Sequence, residues 1–472
     1  MNAERYLSRR EVLGGGLAWA ALNTLRPAAA QNRRPNIVYI LADDLGWTDL
    51  GCQGSRYYET PSIDRLASQG LRLTNYHQCP NCAPTRAALL TGLYAPRTGI
   101  YTVGSLERGD AADRRMEVPV NATDLPLRFR TFADGLRAAG YVTGMFGKWH
   151  LGAGAAFHPS RRGFDEAIVT ESRHFDFATD PPTPYAKGQY LADFLTDRAV
   201  DFIQRHRKGP FMLYLPHFAV HSPFQAKPEL VERFRAKKPA GGHRDPVYAA
   251  MVASVDDSVG RICATLESLG IADDTVVIFS SDNGGVGGYG ELGYRGITDN
   301  APLRGGKGML YEGGTRTPFI VRWPGVTPKG RTCQEPTIHV DLMPTLLELA
   351  GVPPSIREGQ PTDGVSLVPL FRDPGRRLPR RCIYQHLPGY LEGRHPGRWR
   401  STPGGSIIEG DWKLLEFFED GRLELYNLRS DLRERVNLAE KMPDRVRDLH
   451  AKMLRWRAET RAAMPRPKAV SP

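Results

Sequence analysis

Apolar residues along this chain fall into two alternating rhythms. Short continuous runs rich in β-branched residues occur at Asn36–Leu41 (NIVYIL), Tyr141–Phe146 (YVTGMF), Phe211–Leu215 (FMLYL) and Thr275–Phe279 (TVVIF). Each has the length of a buried strand and is too short for a helix. Between them, apolar positions recur at helical spacing over Thr131–Ala139, Tyr190–Arg205 and Tyr248–Leu269. Buried strands alternating with helices predict an α/β fold with a largely parallel sheet covered on both faces. Past Phe371 the pattern changes. Arg-, Pro- and Gly-rich sequence at Arg372–Arg381 reads as a linker. Short strands follow at Ser406–Ile408, Trp412–Phe418 and Leu423–Tyr426, with a turn at Asp420-Gly421 and a closing helix around Asp444–Arg461. A main domain over 35–371 and a smaller α+β subdomain over 382–462, an antiparallel sheet plus a helix, are the expected units. There are no internal repeats.

The polar residues after each strand sharpen the picture. The first run ends in Asp43-Asp44 and the second in Gly147-Lys148-Trp149-His150. The third leads to His217 and His221-Ser222-Pro223, and the fourth to Asp282-Asn283-Gly284-Gly285. Open α/β sheets bind ligands outside the carboxyl ends of their strands. A single Asp there is explained by strand termination, but four loaded ends predict one converging polar site. The Gly-rich region Gly284–Gly314, with Leu303-Arg304-Gly305-Gly306-Lys307-Gly308, reads as a loop lining that site. It lacks the strand–G-x-x-x-x-G-K-[ST]–helix order of a phosphate loop.

Composition adds bounds. The 472 residues carry a formal net charge of +11, and without residues 1–30 the charge is +9. A basic surface favours anionic partners or simply keeps the protein soluble. No zinc-finger spacing, basic zipper or similar nucleic-acid motif is present. The start of the chain reads as an address: Ser8-Arg9-Arg10-Glu11-Val12-Leu13, an apolar stretch to about Leu25, then Ala28-Ala29-Ala30. Paired arginines, a weakly apolar core and small residues at the end resemble a twin-arginine export signal over 1–30. An ordinary secretory signal or an uncleaved anchor is the alternative. The apolar stretch falls short of the about 20 residues that span a bilayer. The expectation is a mature protein without a membrane span, periplasmic or secreted. The six cysteines, at positions 52, 79, 82, 263, 333 and 382, are too scattered for a disulfide framework. Cys79-Pro80-Asn81-Cys82 is a lone C-x-x-C, half of a structural zinc site at most.

Cys82-Ala83-Pro84-Thr85-Arg86 opens a predicted helix, from Pro84 to about Leu90, that stops before Thr91-Gly92. A helix start presents free N–H groups to an anion, and Arg86 lies one turn on. Taken locally, Cys82 is either a nucleophile poised at an anion site or a buried structural cysteine near a cap.

The run C-x-P-[ST]-R followed by A-x-L-x-T-G, here Cys82–Gly92, resembles the signature of type I sulfatases. Asn36–Asp44 (NIVYILADD), Gly147–Gly152 (GKWHLG), Asp282–Gly285 (DNGG), Leu303–Pro318 and Glu424–Leu428 (ELYNL) stand in that family's order. The resemblance covers about Pro35 to Leu438. It implies an alkaline-phosphatase-like fold, and conversion of Cys82 to formylglycine before folding by a formylglycine-generating enzyme. It implies that the hydrated aldehyde is the nucleophile. Asp43, Asp44, Asp282 and Asn283 would be ligands of one Ca2+, with modified residue 82 completing the shell. Lys148 and Lys307 would hold sulfate oxygens and Arg86 would stabilise the hydrate. His221 would protonate the leaving oxygen, with His217 as rival, and His150 would deprotonate the second hydroxyl. Thr85 departs from the Ser of many relatives. A Cys79–Cys82 disulfide would block conversion, so modification is expected in the cytoplasm, before twin-arginine export of the folded protein. The loops Arg161–Tyr190 and Tyr390–Pro403 carry His174, Phe175, Tyr185, Arg394 and Trp399, a basic and aromatic set suited to a sulfated saccharide. Relatives with the same nucleophile that cleave phosphate or phosphonate monoesters are one rival reading. A catalytically silent protein that binds sulfated glycans is the other.

Overall fold

The computed structural model describes residues 34–353, 359–380 and 382–468. The expected export signal lies outside the described residues. The strands Asn36–Ala42 (β1), Leu71–Leu73 (β2), Val142–Gly147 (β3), Glu166–Val169 (β4), Phe211–Pro216 (β5), Thr275–Ser281 (β6), Phe319–Arg322 (β7) and Arg331–Cys333 (β8) make one sheet. Its order is β8-β2-β7-β6-β1-β5-β3-β4. β7 runs antiparallel to both neighbours and every other pairing is parallel. The four strands expected from the sequence are therefore adjacent, as β6-β1-β5-β3. That adjacency is why their polar ends meet.

Helices cover both faces, as continuous apolar strands require. Ile37, Tyr39 and Leu41 of β1 face one core, with Leu89, Phe132 and Leu346 from the helices Cys82–Thr91 (α1), Phe132–Ala138 (α2) and Leu342–Leu349 (α3). Val38 and Ile40 face the other, with Phe202 and Val255 from Leu191–His206 (α4) and Pro246–Ser268 (α5). All seven β1 residues are buried. Each large side chain so placed contributes about 1.5–3 kcal/mol. Local signals fix the helix starts. Thr131 and Asp134 form a capping box on α2, and the Asp245 carboxylate accepts from Tyr248 N–H ahead of Pro246 in α5.

Cys382–Leu387 (β9), Gly404–Glu409 (β10), Trp412–Phe417 (β11) and Leu423–Asn427 (β12) form an antiparallel sheet in sequence order. Ile407, Leu414 and Leu425 on one face pack on Leu449 and Met453 of the helix Pro443–Thr460 (α6). Ile383, Ile408 and Leu415 on the other pack with Ala88, Leu310 and Ile338 of the larger layer. β9 has no counterpart among the expected strands, because Gln385 and His386 interrupt its apolar run. Both are buried and paired: Gln385 Nε2 donates to Gln78 O (2.7 Å), and His386 Nε2 to Ala463 O (2.9 Å).

Over residues 373–380 the expected linker is irregular and mostly exposed, and it is tied down at points along its length. Leu378 is buried, Arg380 Nη2 donates to Asp341 Oδ2 (2.9 Å) and Arg377 Nη1 to Glu335 Oε2 (2.8 Å). The segment is strapped down by its own arginines, whose partners lie far off in sequence. Contacts join the residues from Pro35 onward into one unit. Among the described residues, no helix is long and apolar enough to cross a membrane.

Candidate active site

The α1 helix starts at Cys82, earlier than expected, because Asn81 caps it. Asn81 Oδ1 accepts from Cys82 N–H (3.0 Å) and its Nδ2 donates to Thr102 Oγ1 (2.9 Å). Gly92 ends the helix in the left-handed region at φ 70°. Every residue of α1 is buried, and Cys82 is 1% exposed. Cys82 Sγ lies 3.4 Å from Asp43 Oδ1 and 3.8 Å from Asp44 Oδ1. Burial, then the carboxylates of Asp282 and Asp43, push its thiol well above the usual range. Unmodified Cys82 is therefore a neutral thiol and not an attacking thiolate. All six thiols are free, and Cys79 Sγ turns to His339 Nε2 (3.2 Å).

Around Cys82, three acids meet three cations. Lys148 Nζ donates to Asp43 Oδ2 (2.6 Å), and Lys307 Nζ to Asp44 Oδ2 (2.7 Å). Arg86, fully buried, donates from Nη2 to Asp282 Oδ2 (2.7 Å) and from Nη1 to Lys148 O (2.9 Å), with Asp43 Oδ2 at 3.3 Å from Nη2. Burial alone would raise the Asp43 carboxyl, but Lys148, His221 and Arg86 hold it well below the carboxylate range. Asp282 goes the other way, pushed up to about 6 by burial and by Asp43 beside it. Asp44 and His150, at φ 62° each, occupy the left-handed region that residues with a Cβ disfavour. Both follow strand ends and face the cluster.

These residues fit a hard divalent cation. Asp43, Asp44, Cys82 and His221 each bring one ligand-capable atom within 4.8 Å of the others. Asp282 Oδ1 accepts only a backbone bond, from Asp44 N–H at 3.2 Å. Asn283 donates through Nδ2 to Asp44 Oδ1 (2.8 Å), while its buried Oδ1 has no partner. An orphaned amide oxygen among three carboxylates is a donor set for Ca2+ or Mg2+, and a poor one for zinc.

The histidines divide. His217 is buried behind β5, with Nε2 on Ser258 Oγ of α5 (2.9 Å), and does not line the cavity. His221 does; its Nδ1–H donates to Ser222 O (2.6 Å), which turns Nε2 toward Asp44 Oδ2 (3.7 Å). His174 Nε2 donates to His221 O (2.8 Å) and so positions that loop. His150 also lines the cavity; burial, then Lys148 and Arg86, lowers its pKa to about 2, leaving a neutral imidazole.

Above Cys82 opens a cavity of ≈ 450 Å³, walled by Lys148, His150, His221 and Lys307 and, further out, by Arg108, Glu171 and Arg400. The two loops expected to shape it do so, through other residues. His174 is buried, Phe175 packs on Tyr190 (5.1 Å between ring centroids) and Tyr185 on Phe177 (4.1 Å). Trp399 packs on Tyr390 (4.7 Å), and Arg394 lines a neighbouring cleft. Basic and aromatic side chains in a loop serve packing as readily as lining, so composition alone does not separate the two. Arg400 is legible only as a member of the basic loop Tyr390–Pro403, and Arg108 carries no signal in the sequence.

Comparison with known proteins bears on the same site. The model of the "Sulfatase" family matches residues 35–352, and that of "N-sulphoglucosamine sulphohydrolase, C-terminal" matches 306–459. The chain is 34% identical over 534 residues to a sulfatase of Formosa agariphila, covering 96% of this chain and 93% of that one. It is 35% identical over 385 residues to N-acetylgalactosamine-6-sulfatase of Homo sapiens, covering 76% and 69%. Among solved structures, Ps i-CgsB in complex with k-i-k-neocarrahexaose superposes with a TM-score of 0.75 at 29% identity, covering 90% of this chain and 93% of that one.

Proposed function

This chain belongs to the sulfatase family and is a sulfuric ester hydrolase, and we propose that it acts on sulfated carbohydrate through a formylglycine hydrate made from Cys82 and one bound Ca2+. The observation that carries the reading is Cys82 itself: a buried side chain at a helix start, set against Asp43 and Asp44 at the foot of the cavity. Asp43, Asp44, Asp282 and Asn283 would hold the ion, with residue 82 completing the shell. When bound, the hydrate supplies a nucleophile and the ion draws charge from the sulfate oxygens.

The remaining work falls to this chain's side chains. Lys148 and Lys307 each reach a carboxylate at hydrogen-bond distance and can hand that contact over to sulfate oxygens. Arg86, anchored on Asp282 and on the Lys148 carbonyl, is too well held to follow the substrate and fixes the charge around residue 82. His221 Nε2, with Nδ1 committed to Ser222 O, gives a proton to the departing alkoxide oxygen. His150, on the cavity wall with Lys148, would accept the proton of the second hydroxyl as the bond to sulfate breaks and sulfate leaves.

A sulfated saccharide as substrate is supported by the basic cavity wall. It is also supported by the named sugar sulfate of the human relative and the carrageenan oligosaccharide of the structural neighbour. Maturation by a formylglycine-generating enzyme in the cytoplasm, then twin-arginine export to the periplasm or beyond, completes the proposal. Mass spectrometry of the peptide bearing residue 82 tests it directly. The expected result is the mass loss of a thiol turned aldehyde, together with Ca2+-dependent release of sulfate. Turnover of an aryl phosphate above that of the matched aryl sulfate would instead favour the phosphate or phosphonate ester reading.

A further inference from the structure

Resting on that reading, the cavity wall contributes a second element of recognition. Arg400 lies on the strand segment Trp399–Ser401 and lines the same cavity as Cys82. Its Nε donates to Glu392 O (2.9 Å), and its guanidinium sits over the Tyr289 ring, 5.8 Å from the centroid. Tyr289 in turn donates from its hydroxyl to Lys307 O (2.9 Å). The Arg400 guanidinium carbon lies 3.8 Å from where a side-chain carbon on Gly308 would stand. Arg400 is thus fixed beside the lysine that faces Asp44, at the rim of the same cavity.

Its charge has no close counter-ion. Among the described residues, no carboxylate lies within 4 Å of Arg400, although the Tyr289 hydroxyl and, at longer range, Glu392 stabilise it. Glu392 meets Arg108 through Oε1 (3.6 Å to Nη1), and Glu171 is the other acid lining the cavity. Arg400 and Glu392 also wall a second cleft of ≈ 490 Å³ with Tyr294, Phe224, Arg295 and Arg394. The two hollows therefore share a partition, and the partition carries a guanidinium without an ion pair. A pinned, partly desolvated arginine with open N–H groups is suited to a sulfate or carboxylate.

We propose that Arg400 is a specificity-determining residue that binds a second anionic group of the substrate, a sulfate or carboxylate on the sugar adjoining the one that loses its sulfate. The adjoining cleft, with its aromatic floor and two further arginines, takes that second sugar. The enzyme then prefers oligosaccharides with anions on neighbouring residues over singly sulfated ones.

The test uses the full-length, converted enzyme and matched disaccharides built on N-acetylgalactosamine or glucosamine. Each pair shares one sulfate; one member adds a second sulfate, or a uronate carboxylate, on the adjoining sugar. The wild type is expected to favour the doubly charged member about tenfold in kcat/KM, through KM, as a charge-assisted contact of this kind warrants. Arg400→Met should abolish that preference, and Arg400→Lys, which keeps the charge and the packed stem, should restore part of it. Whether sulfate or carboxylate gains more identifies the anion. Equal treatment of both members by the wild type overturns the inference, and so does a fall in kcat common to both members in Arg400→Met. Failure of the converted enzyme to cleave p-nitrophenyl sulfate or any disaccharide removes the sulfatase reading itself, a result distinct from either.

Discussion

Lys307 and Glu312 sit on one short stretch of chain and belong to two different clusters of buried charge. Lys307 joins the cluster around Cys82. Glu312 joins a second, on the seam between the two sheets, where Lys413 of β11 meets Glu312 Oε1 (2.8 Å) and Glu434 Oε1 (2.9 Å). There Arg316 Nε donates to Glu312 Oε2 (2.6 Å), and Glu312 N–H to Glu434 Oε2 (2.7 Å). The seam cluster is closed by ion pairs, since each of its two carboxylates meets a cation. The cluster at Cys82 is open: the Asn283 oxygen has no partner, Asp282 Oδ1 has only a backbone one, and a cavity stands over it. Buried charges of equal density can serve structure or chemistry. What separates them here is the kind of group left over, an amide oxygen among three carboxylates, under a cavity that Cys82 and both lysines line.

That contrast can be broken from either side. The largest effect should come from Cys82→Ala, which removes the convertible side chain and is expected to lower sulfate release at least about a thousandfold, with the melting temperature little changed. Comparing rates and melting curves on the same preparations checks this; a large drop in melting temperature would mean that the open cluster is also structural. The reverse split is expected for Lys413→Met, which strands two buried carboxylates. Chemical denaturation should show a loss of about 3–5 kcal/mol, with kcat of the surviving folded enzyme near that of the wild type. Next in size is the metal. EDTA should abolish turnover, and Ca2+ at a hundred times its Kd should add about 2.7 kcal/mol of stability to the wild type and to Lys413→Met alike.

The smallest expected effect sharpens the seam. Burial, then the nearby Glu312, raises Glu434 to about 7, although Lys413 pulls against them. A carboxyl raised above its unfolded value favours the fold while protonated, so that contribution is full below about pH 4.5 and lost as pH rises through about 7. The stability of the wild type relative to Glu434→Gln should therefore fall between pH 5 and 7, by on the order of 1 kcal/mol. Urea titrations at several pH values measure it, and a difference that grows in the opposite direction would mean that Glu434 is held ionised.

The open cluster was far more legible in the sequence than the closed one, for physical reasons. Asp43, Lys148, His221 and Asp282 each follow a buried strand, and a short run without charged residues is conspicuous. Once those strands are neighbours, the ends converge without further information. Glu312, Lys413 and Glu434 follow no such rule. They come from a short turn, a strand of the second sheet and a loop, and nothing in the spacing of the three tells that they meet. The short strands β2, β4, β7 and β8 were missed because three or four residues carry too little periodicity. Arg400 was missed because its significance lies in what it does not touch, and pairing is invisible in a sequence.

The burial of Cys82 has a last consequence, in the time domain. With 1% of its surface exposed, at the head of a helix with no exposed residue, the thiol lies at the foot of the cavity once the chain has folded, open to a small substrate and out of reach of an enzyme that must grip the chain around it. Under the proposed maturation, each molecule meets its modifying enzyme in the interval between synthesis and folding, or never. A preparation is then a mixture of two fixed populations, fully competent and inert, indistinguishable by fold. Its specific activity records how synthesis was paced in the cell that made it, and no later change of buffer, cofactor or redox potential can revise that record.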